Sequence, residues 1–572
     1  MASKRSKTKP NAIPARLREF YVPYTPEPLE GDAWNVVIAQ PDDLSARALL
    51  AEELRAKGDP RGEYLRLALD DAPTAEEVET RDALFDRCSP EWLRPLIPEN
   101  AHLAGNVRGL RFEHGLVERA DLQLRSPEVL DLLAERTPIR HLEVSDYEAH
   151  KKWVEWLPRH RIVQGLRSFT LSTEQAGAAE RLVRSGAFGA VETLSLSAEL
   201  TPSLARAIAE HTPRVTSLAT EGVTDAEAIV PLSGLPLTAL SLGGQLSPVA
   251  ARAVAALPHL TQLSLYDLSG DVAEELLPMM SRLTVLSFDL CVIPPASLAR
   301  LLSAATSLTE LKLHRTGLMG ASIPQVLGAL GSSRLTSLSL NSDILREEGA
   351  QPLAKLDGLS RLTHLSLSSC SLGPSAFVAL AAAPWPLQHA NFDHNWPYVE
   401  GATALATGPL CANLRTLSLL GTKLDAAGAK ALAASPWLSE LHSLTLHGNG
   451  IRTTGLRALI EHLPNVRSLS LGRDNRIEGQ GLSGATLGLL PKLRDLAVDD
   501  VSGEAIAAFV ESGHANDLRK ASFRHSELST AAVEALVTLP RLRTLTTSFA
   551  DIEPKSTALL YRRWPDYDAH RY

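Results

Sequence analysis

Residues 414–436 read Leu414-Arg-Thr-Leu417-Ser-Leu419, then Thr422-Lys-Leu424, then Asp425-Ala-Ala-Gly428-Ala-Lys-Ala-Leu432, ending at Pro436. Residues 441–464 repeat the pattern as Leu441-His-Ser-Leu444-Thr-Leu446, Asn449-Gly-Ile451, Thr453-Thr-Gly455-Leu456, Leu459, Leu463 and Pro464. Counting Leu414 as position 1, leucines at positions 4 and 6 lie two apart. They point to one face of a short strand while Ser418 points to the other. A polar residue stands at position 9 (Thr422, Asn449), where a buried side chain serves loop backbone groups that have no other partner. Leu456, Leu459, Ile460 and Leu463 then form a helical stripe, with Thr453 as expected N-cap and Pro464 as stop. One strand and one helix cannot bury their apolar faces alone, so neighbouring units must stack.

Most of the chain repeats this unit. Position 1 recurs from Ile139 through Leu166, Leu260, Leu308 and Leu362 to Leu542, at spacings of about 22 to 27 residues. The shortest units, between Val215 and Leu283, leave room for only a short or irregular helix; those from Leu308 onward fit a full one. The pattern resembles the leucine-rich repeat, L-x-x-L-x-L-x-x-N/C-x-L, and its long second half with internal glycine resembles the ribonuclease-inhibitor-like subclass. The resemblance implies an α/β fold: a solenoid with a curved parallel sheet on the concave side and helices on the convex side, over residues 122–553.

Residues 1–30 are basic and then proline-rich, as expected of a solvated tail. Residues 31–121 follow another pattern. Asp43 precedes a helical stripe including Leu44, Ala48, Ala51 and Leu54. Gly58 ends it, and Asp59-Pro60-Arg61-Gly62-Glu63-Tyr64 opens a second helix. A third helix is expected from Thr74 to about Cys88, then a strand at Val107–Phe112. Pro41-Asp-Asp43, Gly58-Asp-Pro-Arg-Gly-Glu-Tyr-Leu-Arg-Leu67 and Arg108-Gly-Leu110 resemble the small helical repeat-companion domain of myxobacterial and planctomycete proteins. That family usually has Tyr-Ala-Asp-Trp-Leu where this chain has Leu50-Ala-Glu-Glu-Leu54, so two aromatics are missing. The resemblance implies a bacterial source and supplies no activity to carry over. Residues 554–572, with Leu559, Leu560, Trp564 and Tyr567, are expected to cap the last repeat.

The chain has 572 residues, 44% hydrophobic, with a net charge of -9. That balance disfavours wholesale nucleic-acid binding, which leaves a basic footprint. There is no apolar segment at the N-terminus and no run of 18 apolar residues, so neither a signal peptide nor a membrane span is expected, and the reading is cytoplasmic. None of Cys88, Cys291, Cys370 and Cys411 has CxxC spacing. Cys291 and Cys370 fall at position 9, a buried structural slot.

Positions 3, 5, 7 and 8 face the groove. Position 5 is mostly Ser or Thr, a small neutral floor. Bulkier groups gather at the centre. Tyr266, Asp289, His314 and Asn341 hold position 7 of successive units, and His364 and His389 hold position 3. Asp393, His394 and Trp396 lie in an irregular unit where Ala390 and Phe392 replace leucines. Aromatic and polar groups on a bland surface are the pattern of an interface hot spot. The histidines also raise a metal site, which needs a converging third ligand that the sequence does not guarantee.

Gly479-Gln-Gly481-Leu-Ser-Gly484 matches G-x-G-x-x-G, but repeats flank it and leave no room for a dinucleotide-binding sheet. No G-x-S-x-G, H-E-x-x-H or P-loop sequence occurs. The expectation is a non-catalytic, monomeric scaffold or regulator that binds a protein partner on the concave face and needs no cofactor. The alternatives are a modulator of another enzyme, inhibitor-like or GTPase-activating with Arg315 or Asn395 presented, and a carbohydrate or nucleic-acid binder.

Overall fold

The computed structural model describes residues 27–98, 103, 106–146, 152–223, 225–331, 334–477, 487–526, 528–548, 556, 559–560 and 569–570. The basic tail of residues 1–26, the G-x-G-x-x-G stretch and most of the expected C-terminal cap, Trp564 and Tyr567 included, lie outside the described residues. The chain forms two compact units. One comprises Pro28–Val78 with Pro95–Leu414; the other comprises Glu79–Arg94 with the repeats from Arg415 onward.

The first unit opens with helices α1 (Asp32–Ala39), α2 (Leu44–Ala56) and α3 (Pro60–Ala68). The Asp43 carboxylate accepts the Ser45 and Ala46 N–H groups at 2.9 and 3.1 Å, which fixes the start of α2. Gly58, at φ +73°, ends it. Asp59 then caps α3, with Pro60 in its first turn. Trp34, Val37, Leu50, Ala51, Leu54 and Leu65 form the core of this part.

Gly62 is the close-approach point between α2 and α3. A Cβ there would lie 2.5 Å from the Arg55 nitrogen and 2.6 Å from the Ala51 oxygen, both backbone atoms that cannot swing aside. Gly62→Ala is therefore expected to cost about 2 kcal/mol despite alanine's better helix propensity. Thermal unfolding followed by circular dichroism checks this, and an unchanged or raised melting temperature would show that the helices simply slide apart.

Strand β1 (Val107–Glu113) pairs antiparallel with β2 (Leu116–Gln123), and β2 pairs in parallel with β3 (His141–Asp146). β2 thus closes a hairpin and starts the repeat ladder, across the point where the sequence changes character. Arg47, only 2% exposed, ties α2 to this hairpin. It donates to the Pro41 carbonyl and, at 2.6 Å, to the equally buried Glu118 carboxylate.

From β3 onward the first unit is a parallel ladder in register. The position-4 residues align as Leu142, Phe169, Leu194, Leu218, Leu240, Leu263, Leu286, Leu311, Leu338, Leu365 and Ala390. Phe392 fills the irregular unit, its ring edge-on to Phe377 at 5.4 Å. In the second unit Leu417, Leu444, Leu469, Leu496, Ala521 and Leu545 align likewise. The fold is an α/β leucine-rich-repeat solenoid.

The return segments follow unit length. Between Val215 and Leu283 they include the 3-10 stretches Ala226–Ala228, Val230–Gly234 and Glu274–Arg282. Longer units carry helices such as Tyr398–Thr407 and Asp425–Ala433. One expectation is corrected. The helix at Arg452–Ile460 is preceded by Ile451, so Thr453 lies inside its first turn and does not cap it. Its stripe of Leu456, Leu459, Ile460 and Leu463 is buried.

Position 9 forms a polar ladder behind the strands. Asn395 and Asn449 are buried, and each amide bridges two loops. The Asn395 oxygen accepts the N–H groups of Cys370 and Leu372, while its amide N–H groups donate to the carbonyls of Leu367, Phe392 and Asp393. Cys291 and Cys370 fill the same slot with thiols that donate to the Leu265 and Leu340 carbonyls. Burial pushes these thiols up to about 11 and about 12, so they stay protonated.

Candidate functional site

The central groove is built on the strands Gln262–Tyr266, Val285–Asp289 and Glu310–His314, which carry Tyr266, Asp289 and His314 side by side in register. Tyr266 is 43% exposed, a large ring presented to solvent. Asp289 is held by Arg315, whose Nε and Nη2 donate to Oδ1 at 3.0 and 2.8 Å. The half-buried His314 ring is 2.7 Å from the Ser339 hydroxyl through Nε2. Burial holds its pKa below the ordinary histidine range, against the pull of Asp289.

Two strands further on, His364 and His389 pair in register at position 3. Their rings stack at 4.3 Å between centroids and 14° between planes. The Thr363 hydroxyl lies 2.9 Å from the His364 Nδ1. Burial lowers the pKa of His389, and the neighbouring His364 lowers it further. A stacked imidazole pair offers an apolar face with polar edges, a suitable seat for an aromatic or amide group of a partner.

Other residues of the expected cluster are placed differently. Asn341 spends its side-chain oxygen on the Ser366 hydroxyl and the Ser368 N–H, so it braces the groove floor. Asp393 lies in the turn after its strand, where its N–H bonds the Asn391 side chain. His394 follows at φ +56° and is exposed. Beyond the buried Asn395, the Trp396 N–H bonds the Leu372 carbonyl. Trp396 therefore stands on the loop that leaves the strand, off the face that carries Tyr266 and the histidines.

That loop row holds residues the sequence pattern did not single out. Val292, Met319, Ile344 and Tyr398 are exposed apolar side chains. Backbone bridges tie Val292 to Ser269 and Ile344 to Met319. Their signal was available in the sequence: each follows a buried position 9 closely, where polar loop residues are the norm.

The geometry also bears on the enzyme-modulator alternative. Asn395 is fully buried with its amide committed to the ladder, so it is not a presented group. Arg315 is presented but ion-paired with Asp289. The charged turn of the helical part is internally matched: Asp59 pairs with Arg61, and Glu63 pairs with Arg55 and Arg66. Among the described residues, no three His, Cys, Asp or Glu side chains converge as a metal site would need. No helix among them is long and apolar enough to cross a membrane.

No family model and no curated protein matches this sequence. Among solved structures, the chain is similar to one from the yeast complex of Rad7 and Elc1. The TM-score is 0.40 at 17% identity, covering 61% of this chain and 82% of that one. It is also similar to an internalin (inlF) from Listeria monocytogenes. There the TM-score is 0.34 at 16% identity, covering 64% of this chain and 83% of that one.

Proposed function

We propose that this protein is a non-catalytic scaffold or regulator that binds a protein partner through the strand face around Tyr266, Asp289, His314, His364 and His389. The observation that carries this reading is the register. Three bulky or charged position-7 side chains stand on consecutive strands, and a stacked imidazole pair stands on the same face two strands away. Position 5 of the flanking strands is mostly Ser, and the charged neighbours Glu310 and Lys312 on the His314 strand pair with each other at 2.5 Å, so affinity would concentrate at these few groups. We read the protein as a monomer that acts in the cytoplasm without a cofactor, and the companion-type helical domain as part of the same bacterial scaffold.

The test is quantitative capture from the native cell by the wild-type chain and by a Tyr266→Ala/His364→Ala/His389→Ala variant. These side chains project from the sheet, so melting should change little. Partner affinity is expected to fall by at least about 2 kcal/mol, roughly thirtyfold. Trp396→Ala, on the loop row, should cost less. A folded triple variant that captures the same partner equally well would refute the strand-face reading, and a loss confined to Trp396→Ala would move the interface to the loop row.

A further inference from the structure

A single exposed apolar side chain is ordinary, but a contiguous row of them is not. The loops that leave the central strands carry such a row. Val292, Met319, Ile344, Trp396 and Tyr398 stand on four of the five repeats that begin at Leu283, Leu308, Leu335, Leu362 and Leu387. Val292 is 69% exposed and Met319 57%, so the fold gains little from their apolar surface. Backbone contacts hold the row in place. Val292 bridges Ser269, Ile344 bridges Met319, and the Trp396 N–H donates to the Leu372 carbonyl at 2.9 Å. The small, exposed Ser269 closes the row at one end.

Between Ile344 and Trp396 the row dips. The intervening repeat has Ser371 and Gly373 at the same loop. A Cβ on Gly373 would meet nothing within 4 Å, so the space above it is open. Gly373 has φ -91°, which any residue adopts, so its backbone does not require glycine. Ile344 on one side, and Trp396 with Tyr398 on the other, thus flank a notch one repeat wide.

The charge beside the row is mainly acidic. Glu347 and Glu348 are exposed in the first turn of the helix Arg346–Ala354, and Glu400 in that of Tyr398–Thr407. Glu347 accepts the Ser375 hydroxyl at 2.7 Å. Glu348 and Glu400 have no ion pair among the described residues. Arg346 is the one cation in these two turns, and the nearby Arg315 is committed to Asp289.

We propose that this row docks an amphipathic helix of a protein partner, apolar along one face and basic along its flanks. Strands of adjacent repeats stand about 4.8 Å apart, so the four steps from Val292 to Trp396 cover about 20 Å. A helix offers a side chain on one face at each turn of about 5.4 Å. One apolar side chain therefore meets each repeat, and one enters the notch above Gly373. The three carboxylates select the basic flanks. A membrane surface would also accept Trp396 and Tyr398, but the same carboxylates oppose anionic lipid. The row lies off the strand face that carries Tyr266 and the histidines, so this proposal does not rest on the strand-face reading.

The test uses the full chain and a fluorescent amphipathic peptide, with leucines spaced three and four residues apart along one face and lysines on the flanks. A second peptide has the same composition scrambled, so that no apolar face forms. Binding is read by anisotropy. The amphipathic peptide is expected to bind the wild type at least about tenfold more tightly than the scrambled one. Met319→Ser/Ile344→Ser should cost at least about tenfold, and Gly373→Leu, which fills the notch while adding apolar surface, several-fold, both with unchanged melting. Glu348→Gln/Glu400→Gln should weaken binding several-fold at low salt and little at high salt. Equal binding of the two peptides, an affinity indifferent to Met319→Ser/Ile344→Ser or to the loss of the two carboxylates, or one raised by Gly373→Leu, would each overturn the proposal. Phosphatidylcholine–phosphatidylserine vesicles that sediment the wild-type chain but not the Met319→Ser/Ile344→Ser variant would overturn it in favour of a membrane surface.

Discussion

Asn449→Ala is expected to lower the stability of the C-terminal repeats by about 3–5 kcal/mol. The buried amide oxygen accepts the Thr422 and Leu424 N–H groups at 2.9 and 3.1 Å and the Thr422 hydroxyl at 2.8 Å. The amide nitrogen donates to the carbonyls of Leu419, Leu446 and His447. Alanine would strip partners from backbone groups of two loops at once, where water has little access. A single unmade buried bond costs about 1–3 kcal/mol, and several are lost together here. Each repeat is stabilised mainly by its neighbours, so the loss should appear as early unfolding of these repeats in a urea titration followed by circular dichroism. A shift below about 1 kcal/mol would mean that water replaces the amide, contrary to the tight geometry.

Asp343→Asn should act in the opposite direction, raising stability by about 1–3 kcal/mol at neutral pH. Asp343 occupies position 9 and is 1% exposed. Its carboxylate accepts the Leu318 N–H at 3.1 Å and the Thr316 hydroxyl at 3.0 Å. Burial nonetheless dominates, and pushes the carboxyl from 3.8 up to about 6. Above about pH 6 the folded chain must hold a buried charge, and the separation of the two values bounds its cost at about 3 kcal/mol.

The Thr422–Asn449 pair shows that the ladder accommodates asparagine after a position-9 threonine, as Thr316–Asp343 would become. The sign with pH follows from proton binding. Between pH 3.8 and about 6 the folded wild type holds more protons than the unfolded chain, so this group's contribution falls as pH rises through that window and is flat above it. The advantage of Asp343→Asn should therefore be largest above about pH 6 and shrink toward zero below pH 4. Paired denaturant titrations across that range test it. An advantage that grows on acidification would show that the carboxylate is stabilised as the anion.

The sequence by itself determined the repeat. Leucines at positions 1, 4 and 6 have one good arrangement, a short strand with its apolar side inward, and their recurrence fixes parallel stacking because each unit is incomplete alone. The same local logic made Asp43, Gly58 and Asp59-Pro60 legible as helix boundaries, since caps act within three residues. It also placed Tyr266, Asp289 and His314 on one row and His364 beside His389, because in-register strands convert equal repeat positions into neighbours.

The tertiary structure decided what those positions do. Asn341 and Asn395 look alike in the sequence as polar groups near the groove, yet one braces its floor and the other is sealed in the ladder. Trp396 leaves the strand face because the chain turns at Asn395, and that turn follows from hydrogen bonds to the preceding repeat. The position-2 arginines carried no signal of their own, since an arginine at a strand entrance is ordinary surface. Only the structure pairs Arg140 and Arg167 with Asp42, and Arg519 with Asp82, 437 residues away. Repeat spacing encodes contacts between neighbours, whereas a contact over that separation depends on where a separate helical segment packs.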